Sequence, residues 1–215
     1  MKVSLNKKIL SKNEECALQN RALFASHKTL CINVISSPGS GKTTLLSRTI
    51  RDLQGQVRIG VIEGDIRTDT DARKIRETGA PAVQIETQGA CHLSAEQVTR
   101  ALGSMATAEL DVLFVENVGN LVCPSAFDLG EQARVVVLSL PEGDDKPIKY
   151  PGTFAKADVL LINKMDLKEH VDFDLERVIE HVRTLHKDIA IFQVSARTGL
   201  GMDAWYAWLK EKRAL

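Results

Sequence analysis

Seven short runs of apolar, often β-branched residues alternate along the chain with segments of helical periodicity, and this alternation restricts the possible fold more than any other feature. The runs lie at residues 30–36, 57–63, 82–86, 111–117, 133–140, 158–163 and 189–195. Runs this apolar are typical of strands buried on both faces of a parallel sheet, which needs helical crossovers between its strands. The sequence therefore predicts an α/β fold of three layers, with a mostly parallel central sheet flanked by helices.

The first 28 residues follow a different pattern, with apolar residues at roughly helical spacing among charged ones. They predict an N-terminal helical extension, 1–28, packed on one domain formed by residues 29–215, since 215 residues suit a single α/β domain. Residues 141–152 hold three of the six prolines and are predicted to form an irregular loop of functional interest.

Charge and cysteine content limit the classes of partner and compartment. Lys plus Arg and Asp plus Glu number 28 each, so no basic excess favours nucleic acid or an anionic membrane. No apolar run approaches the roughly 20 residues of a membrane span, and the N-terminus lacks the pattern of a signal peptide. We expect a cytoplasmic protein that binds small molecules or proteins. Its four cysteines follow no disulfide spacing and are expected to be free thiols or ligands, with Cys16 and Cys31 as packing residues.

A glycine-rich segment after the first strand has the features of a phosphate-binding loop. It reads SSPGSGKTT, and its predicted nucleotide-binding residues are Pro38, Gly39, Ser40, Gly41, Lys42, Thr43 and Thr44. Glycine lets backbone N–H groups surround phosphate oxygens ahead of a helix N-terminus. Lys42 is expected to contact the β- and γ-phosphates, and the Thr43 hydroxyl to bind Mg²⁺. The usual pattern has glycine where this chain has Ser36, a residue that can still begin a tight turn.

The segment INKMD predicts a guanine-binding end of the site. Asn163, Lys164 and Asp166 match an N-K-x-D pattern, and an Asp166 carboxylate can accept two hydrogen bonds from guanine N1–H and the exocyclic amine. Ser195 and Ala196, after the last strand, match the loop whose backbone supports the guanine oxygen. Alone, this pattern is often a helix cap, but its position downstream of a phosphate-binding loop favours GTP.

Two acidic residues follow other strands and are candidates for hydrolysis. Asp65 and Glu116 are placed where a carboxylate can face Mg²⁺ or the attacking water, with Asp65 the preferred Mg²⁺ ligand and Lys42 the third catalytic residue. The alternative role for either acid is a helix or turn cap. Gly119 is expected to bind the γ-phosphate through its amide. No glutamine follows it as in Ras-like enzymes, so slow turnover is expected.

Six segments together resemble one known family. SSPGSGKTT, EGD, ETQGACHLSA, ENVGNLVCPSAFDLGE, INKMD and SARTGLG are similar to the HypB family of hydrogenase nickel-incorporation GTPases, in the SIMIBI class, from about residue 30 to residue 205. The urease accessory GTPase has a similar phosphate loop, but its metal motif reads Cys-Pro-His. The resemblance implies a P-loop NTPase fold, GTP hydrolysis coupled to nickel delivery to a [NiFe]-hydrogenase large-subunit precursor, GTP-promoted homodimerisation and a companion nickel chaperone.

The resemblance also implies that Cys91, His92 and Cys123 bind metal. Cys91 and His92 are adjacent just before a helical segment, whose N-terminus is expected to favour the thiolate. Their ligand types suit Ni²⁺ or Zn²⁺ and do not choose between them. Cys123 lies four residues after Gly119, so motion at the γ-phosphate is expected to move a metal ligand. The alternative is a core cysteine beside an ordinary polar histidine.

Several questions stay open at this level. The metal site is predicted either within one chain or shared across a two-fold axis. Lys146 and Lys149 are candidates to reach the partner's nucleotide, or they belong to a solvated loop. The alternatives to hydrogenase maturation are an accessory GTPase for urease or another metalloenzyme, and a dimerising regulatory switch with incidental metal binding.

Overall fold

The computed structural model describes residues 3–65 and 70–214, with side chains described from residue 12 onward, and these residues build one seven-stranded sheet. Its strands are β1 (Leu30–Ser36), β2 (Ile59–Asp65), β3 (Ala82–Glu86), β4 (Val112–Glu116), β5 (Ala133–Ser139), β6 (Val159–Asn163) and β7 (Ala190–Gln193). The order across the sheet is β3-β2-β4-β1-β5-β6-β7, and every pairing is parallel. The predicted α/β fold is confirmed, and the sheet is wholly rather than mostly parallel.

Helices cover both faces of the sheet. They are α1 (Val3–His27), α2 (Lys42–Asp52), α3 (Thr70–Arg76), α4 (Ala95–Leu102), α5 (Lys146–Lys149), α6 (Pro151–Phe154), α7 (Leu175–Leu185) and α8 (Met202–Ala214). Alternate residues of a strand face opposite sides, so Phe114 packs with residues of α2 and α8 while Val115 packs with residues of α1 and α4. The five central strands are therefore buried on both faces, which explains their continuous apolar sequence, whereas the edge strands β3 and β7 are mostly half-buried. None of the described helices is long and apolar enough to cross a membrane.

The position of β1 in the sheet decides where a site can form. Strands β2, β3 and β4 lie on one side of β1, whereas β5, β6 and β7 lie on its other side. Ligands of such sheets bind beyond the carboxyl ends of the strands, where the strand order changes direction. The segments after β1, β2, β4 and β6 therefore meet around one crevice.

Residues 141–152 are helical rather than irregular, which corrects the sequence-based prediction. A 3-10 turn, Leu140–Glu142, precedes the two short helices α5 and α6. Pro147 and Pro151 lie in the first turns of α5 and α6, where a missing N–H leaves no intrahelical hydrogen bond unmade. The prolines thus begin helices here instead of interrupting them.

Helix α1 is attached to the sheet domain by polar contacts, of which those of Asn20 are buried. The Asn20 side chain, buried, donates to the backbone carbonyl of Ala95 at 3.0 Å, and Arg21 forms a 2.7 Å ion pair with Asp128. Such contacts orient α1 against α4, because an unpaired buried amide is costly. The domain boundary between 1–28 and 29–215 stays a prediction.

Candidate nucleotide and metal site

The phosphate-binding loop connects β1 to α2 and is held in shape by its own side chains. Gly39 and Gly41 have φ of +79° and +96°, a left-handed conformation that favours glycine. The Ser36 hydroxyl accepts hydrogen bonds from the Ser40 hydroxyl at 2.6 Å and from Lys42 Nζ at 2.9 Å. The serine that departs from the usual glycine therefore orients the lysine expected to bind phosphate.

A cavity of about 510 Å³ opens beside this loop at the carboxyl edge of the sheet. It brings together most of the residues that the sequence predicts to bind phosphate and Mg²⁺: Pro38, Gly39, Gly41, Lys42, Thr43, Thr44, Asp65, Glu116, Gly119 and Lys164. Ser40 is buried behind this lining, in its hydrogen bond to Ser36. The lining thus combines glycine residues and lysine side chains with several carboxylates.

Four carboxylates line this cavity, Glu63, Asp65, Asp71 and Glu116, and the sequence predicted only Asp65 and Glu116. Oxygen atoms of Glu63, Asp71 and Glu116 lie within 4.8 Å of one another. Burial, helped by the charge of Glu116, raises the pKa of Glu63 from 4.5 to about 8. Burial also raises the pKa of Glu116 from 4.5 to about 7, against the opposing effect of Lys42. Glu63 and Glu116 are both buried, so ionisation of either carboxyl group is costly unless a nearby positive charge compensates it.

The donor set fits a hard divalent cation such as Mg²⁺. Thr43 Oγ1 donates to Glu116 Oε1 at 2.7 Å, which places the hydroxyl at the carboxylate cluster. Among the described residues, Glu63 Oε2 and Glu116 Oε2 are buried without a hydrogen-bond partner. Oxygen ligands are those that Mg²⁺ prefers, and a cation would compensate these buried charges. The predicted ligands Thr43 and Asp65 line the same cavity.

Glu63 and Asp71 are the site residues that sequence reasoning missed. The strand was predicted to end at Glu63, whereas β2 continues to Asp65. Residues two apart on a strand share a face, so the E-x-D spacing at its end was the available signal for Glu63. Asp71 lies on α3 and reaches the cluster only through the packing of that helix, so no local pattern marks it.

The N-K-x-D segment contacts the phosphate-binding loop as well as the base-binding end of the site. Asn163 Nδ2 donates to the Ser40 carbonyl at 2.9 Å, and Lys164 Nζ donates to the Gly39 carbonyl at 2.7 Å. Asn163 Oδ1 also accepts the amide of Ala196 at 3.1 Å. Because Asn163 joins both loops, it sets the distance between the phosphate and base ends of the site.

Asp166 and Ser195 form the other half of this end. The Ser195 hydroxyl donates to Asp166 Oδ1 at 2.5 Å, and Ser195 Oγ accepts the amide of Thr198 at 3.2 Å. The half-buried Asp166 carboxylate is thereby held in one orientation, as a carboxylate that reads a base must be. The five base-end residues predicted from sequence therefore lie together.

A second cluster, which we call the soft-ligand cluster, comprises Cys91, His92 and Cys123. One ligand atom from each residue lies within 4.8 Å of the others, and Cys91 Sγ is 3.7 Å from His92 Nδ1. The His92 ring stacks on Phe127 with a centroid separation of 3.8 Å. All three side chains meet within a single chain, and a site shared across a two-fold axis stays a prediction.

The protonation of the soft-ligand cluster differs from expectation. Cys91 and His92 lie in the bend before Ser94, the N-cap of α4, and so outside its first turn. A hydrogen bond with Cys123 and burial raise the pKa of Cys91, so the predicted helix-stabilised thiolate was wrong. Burial lowers the pKa of His92 and favours the neutral imidazole that binds metals. A metal ion would therefore displace thiol protons on binding.

The segment after β4 joins the two clusters. A Cβ placed on Gly119 would lie 3.0 Å from Pro38 Cα, so this glycine is in close contact with the phosphate-binding loop. Asn120 Nδ2 donates to the Cys91 carbonyl at 3.3 Å, and Cys123 begins a 3-10 turn three residues later. One short segment therefore contacts the phosphate-binding loop and also carries Cys123 of the soft-ligand cluster.

The remaining predicted cations and cysteines lie elsewhere. Lys146 Nζ donates to the Glu142 carbonyl at 2.7 Å, and Lys149 forms an ion pair with Asp145. Their proposed contact with a partner's nucleotide stays a prediction. Cys31 is buried in β1, where burial raises its pKa, and it serves as a packing residue.

Comparisons with known proteins agree with this arrangement. A family model for the CobW/HypB/UreG nucleotide-binding domain matches residues 30–193. The chain is 52% identical over 205 residues to the hydrogenase maturation factor HypB of Azotobacter vinelandii, which spans 95% of this chain and 68% of that protein. It is 39% identical over 215 residues to the hydrogenase/urease maturation factor HypB of Helicobacter pylori, spanning 98% of this chain and 88% of that one.

A solved structure is similar over nearly the whole chain. The crystal structure of HypB from Helicobacter pylori in complex with nickel superposes with a TM-score of 0.90 at 37% sequence identity. The match covers 94% of this chain and 95% of that one. The range matched by the family model, residues 30–193, includes both clusters and the segment between them.

Proposed function

Because the chain belongs to the HypB hydrogenase maturation factors of the CobW/HypB/UreG nucleotide-binding family, we propose that it is a GTP-hydrolysing nickel metallochaperone. In this proposal the nucleotide state sets the affinity for nickel, which is cargo rather than a resident cofactor. The nickel is received from a companion chaperone and delivered to a [NiFe]-hydrogenase large-subunit precursor. GTP promotes the homodimer in which delivery occurs.

The observation that carries the proposal is the position of the soft-ligand cluster. Cys91, His92 and Cys123 present ligand atoms within 4.8 Å of one another, close enough for one metal ion. Cys123 belongs to the same short segment as Gly119, which contacts the phosphate-binding loop. A change at the γ-phosphate can therefore alter the geometry of the cargo site without any long-range rearrangement.

The carboxylate cavity supports hydrolysis of GTP. Lys42 is oriented by Ser36 toward the phosphates, and Thr43 with Asp65 would hold Mg²⁺, which neutralises charge on the phosphate oxygens when bound. Glu116 holds the Thr43 hydroxyl and acts near the attacking water. Asn120, not a glutamine, follows Gly119, so water is positioned less directly and turnover is slow.

A second client is favoured by one comparison. The relative from Helicobacter pylori is a hydrogenase/urease maturation factor, and it spans 98% of this chain. We therefore include a urease precursor as an alternative nickel acceptor. Nickel transfer to each purified apo-enzyme, with GTP present, distinguishes the two clients.

Nickel binding in each nucleotide state tests the coupling. Wild-type protein is titrated with Ni²⁺ and with Zn²⁺ in the presence of GDP or a non-hydrolysable GTP analogue. We expect the two nucleotides to give affinities that differ by about 5-fold to 150-fold, the usual range for linked sites. Equal affinities would refute the coupling. Formation of GDP and phosphate from GTP, measured in a separate assay, tests hydrolysis.

Cysteine variants test the site itself. Cys91→Ala and Cys123→Ala are expected to lose this metal site and to keep GTP binding, because neither residue contacts the phosphate loop. Cys16→Ala is the matched control, since it removes a thiol of intermediate exposure from α1, outside the cluster. Full metal affinity in both cluster variants, or an equal loss in the control, would contradict the assignment.

A further inference from the structure

Asn117, the first residue after β4, joins two segments of the chain through its side chain. It is 1% exposed. Its Oδ1 accepts hydrogen bonds from the amides of Leu93 at 3.1 Å and Val118 at 3.0 Å. Its Nδ2 donates to Asn33 Oδ1 at 3.1 Å, and its own amide donates to the Val34 carbonyl at 3.0 Å. The side chain is thus fixed to β1 while it holds two amides from different segments.

One of the two amides adjoins the soft-ligand cluster, and the other adjoins the contact with the phosphate-binding loop. Leu93 directly follows the metal ligand His92, and Val118 directly precedes Gly119 at the phosphate-binding loop. Both donors share one acceptor atom. Motion of one segment displaces the acceptor that the other segment requires. Because a buried amide that loses its partner costs a full desolvation penalty, the other segment is expected to follow that motion.

Leu93 is also held from its other side. It is fully buried, and a Cβ placed on Gly64 would lie 2.8 Å from Leu93 Cδ1. Gly64 stands between Glu63 and Asp65 at the end of β2. The residue after His92 is therefore clamped between the two strand ends that carry the carboxylate cavity.

The other polar link between the segments is weaker. Asn120 Nδ2 reaches the Cys91 carbonyl at 3.3 Å, but this hydrogen bond is exposed to solvent. Water can replace an exposed partner at little cost, whereas the buried Leu93 amide has no such replacement. The buried link through Asn117 consequently carries more of the mechanical connection.

We propose that Asn117 is a positioning residue that transmits the nucleotide state to the soft-ligand cluster through the Leu93 amide. This inference rests on the proposed function, because it specifies how that coupling is made. When Val118 and Gly119 adjust to the γ-phosphate, the Asn117 carboxamide adjusts with them. The Leu93 amide follows its acceptor and re-orients the preceding Cys91 and His92.

The test compares two buried asparagines that make equal numbers of side-chain hydrogen bonds. Asn117→Ala breaks the link, and Asn20→Ala is the matched control. Asn20 is also 1% exposed, donates to the carbonyls of Ala95 and Leu129, and accepts from the Thr99 hydroxyl. Both variants lose three side-chain hydrogen bonds, but only Asn117 bonds the segment that contacts the phosphate-binding loop.

The readout is the ratio of Ni²⁺ affinities with GDP and with a GTP analogue. We expect the wild-type ratio of about 5-fold to 150-fold to fall to about one in Asn117→Ala and to persist in Asn20→Ala. A ratio that persists in Asn117→Ala overturns the inference and leaves the proposed function standing, as does equal loss in both variants. A wild-type ratio of one refutes the proposed coupling itself and the inference with it.

A measurement on the unmodified protein covers the case in which Asn117→Ala does not fold. Amide hydrogen exchange is recorded for Leu93 and Val118 with GDP and with the GTP analogue. Because they share one acceptor, we expect the protection of both amides to change together. A change at Val118 with none at Leu93 overturns the inference.

Discussion

Replacing Glu63 by glutamine removes a buried carboxylate while keeping its shape. Glu63 is 3% exposed, and burial together with the charge of Glu116 raises its pKa from 4.5 to about 8. Its Oε2 has no hydrogen-bond partner among the described residues. Ionisation of this carboxyl group in the folded protein therefore destabilises the fold. Glutamine does not ionise, so the variant avoids this cost.

The sign of the effect follows from proton binding. Between pH 4.5 and about 8 the folded protein keeps a proton that the unfolded chain has released. The stability that this carboxyl group contributes is therefore fully present below its unfolded pKa and is lost as the pH rises to its folded pKa. One pKa unit corresponds to about 1.4 kcal/mol, so the loss over the whole window from 4.5 to about 8 is about 5 kcal/mol.

Urea unfolding in EDTA at several pH values measures this contribution. We expect the free energy of unfolding of Glu63→Gln to exceed that of the wild type increasingly, by about 3 kcal/mol more at pH 8 than at pH 5. Glu211→Gln, at an exposed position on α8, is the control and should show no such divergence. Mg²⁺ should reduce the pH dependence of the wild type alone, because a cation stabilises the ionised carboxylate.

Parallel pH profiles of wild type and Glu63→Gln would refute the reasoning. They would mean that the carboxyl group has similar pKa values in the folded and unfolded states. The carboxylate cavity would then already be compensated without a cation, and its assignment as a Mg²⁺ site would lose its main physical support.

Three further substitutions test other contacts. Gly64→Ala places a Cβ 2.8 Å from the Leu93 side chain, and we expect a loss of about 1–3 kcal/mol in urea unfolding; an unchanged midpoint would contradict the contact. Gly130→Ala combines a φ of +89° with a Cβ 2.5 Å from the Ala17 carbonyl, so thermal unfolding should show at least about 1–2 kcal/mol of destabilisation and earlier proteolysis of α1. Equal resistance to protease would count against that role of the turn. Asp166→Asn should weaken GTP by about 2 kcal/mol or more and improve xanthosine triphosphate binding in competition assays, whereas unchanged base preference would place guanine recognition elsewhere.

Strand positions were predictable because a strand that is buried on both faces has apolar residues at consecutive positions. The phosphate loop and the N-K-x-D segment were predictable for a related reason, since each needs particular residue types at fixed spacing to present amides or a carboxylate. The short helices α5 and α6 were not predicted, because proline at the start of a helix and proline in a loop look alike without the packing of residues 140–154.

The carboxylate partners depended on contacts between elements distant in sequence. Glu63 reaches the site through the register of β2, whose end lies two residues later than its apolar run suggests. Asp71 reaches it through the docking of α3. The pKa of Cys91 likewise depends on its proximity to Cys123, which no local sequence pattern encodes.

The sequence by itself determined the layered fold, and it predicted the nucleotide-binding loops and the three residues of the soft-ligand cluster. Those features depend on residue type, spacing and order along the chain. Only the tertiary structure decided that the three predicted metal-binding side chains meet within one chain, that one buried oxygen atom each of Glu63 and Glu116 lacks a hydrogen-bond partner among the described residues, and that Asn117 accepts a hydrogen bond from the residue after His92. These contacts join residues that are distant in sequence, and they are set by parallel strand register and helix packing rather than by any local preference.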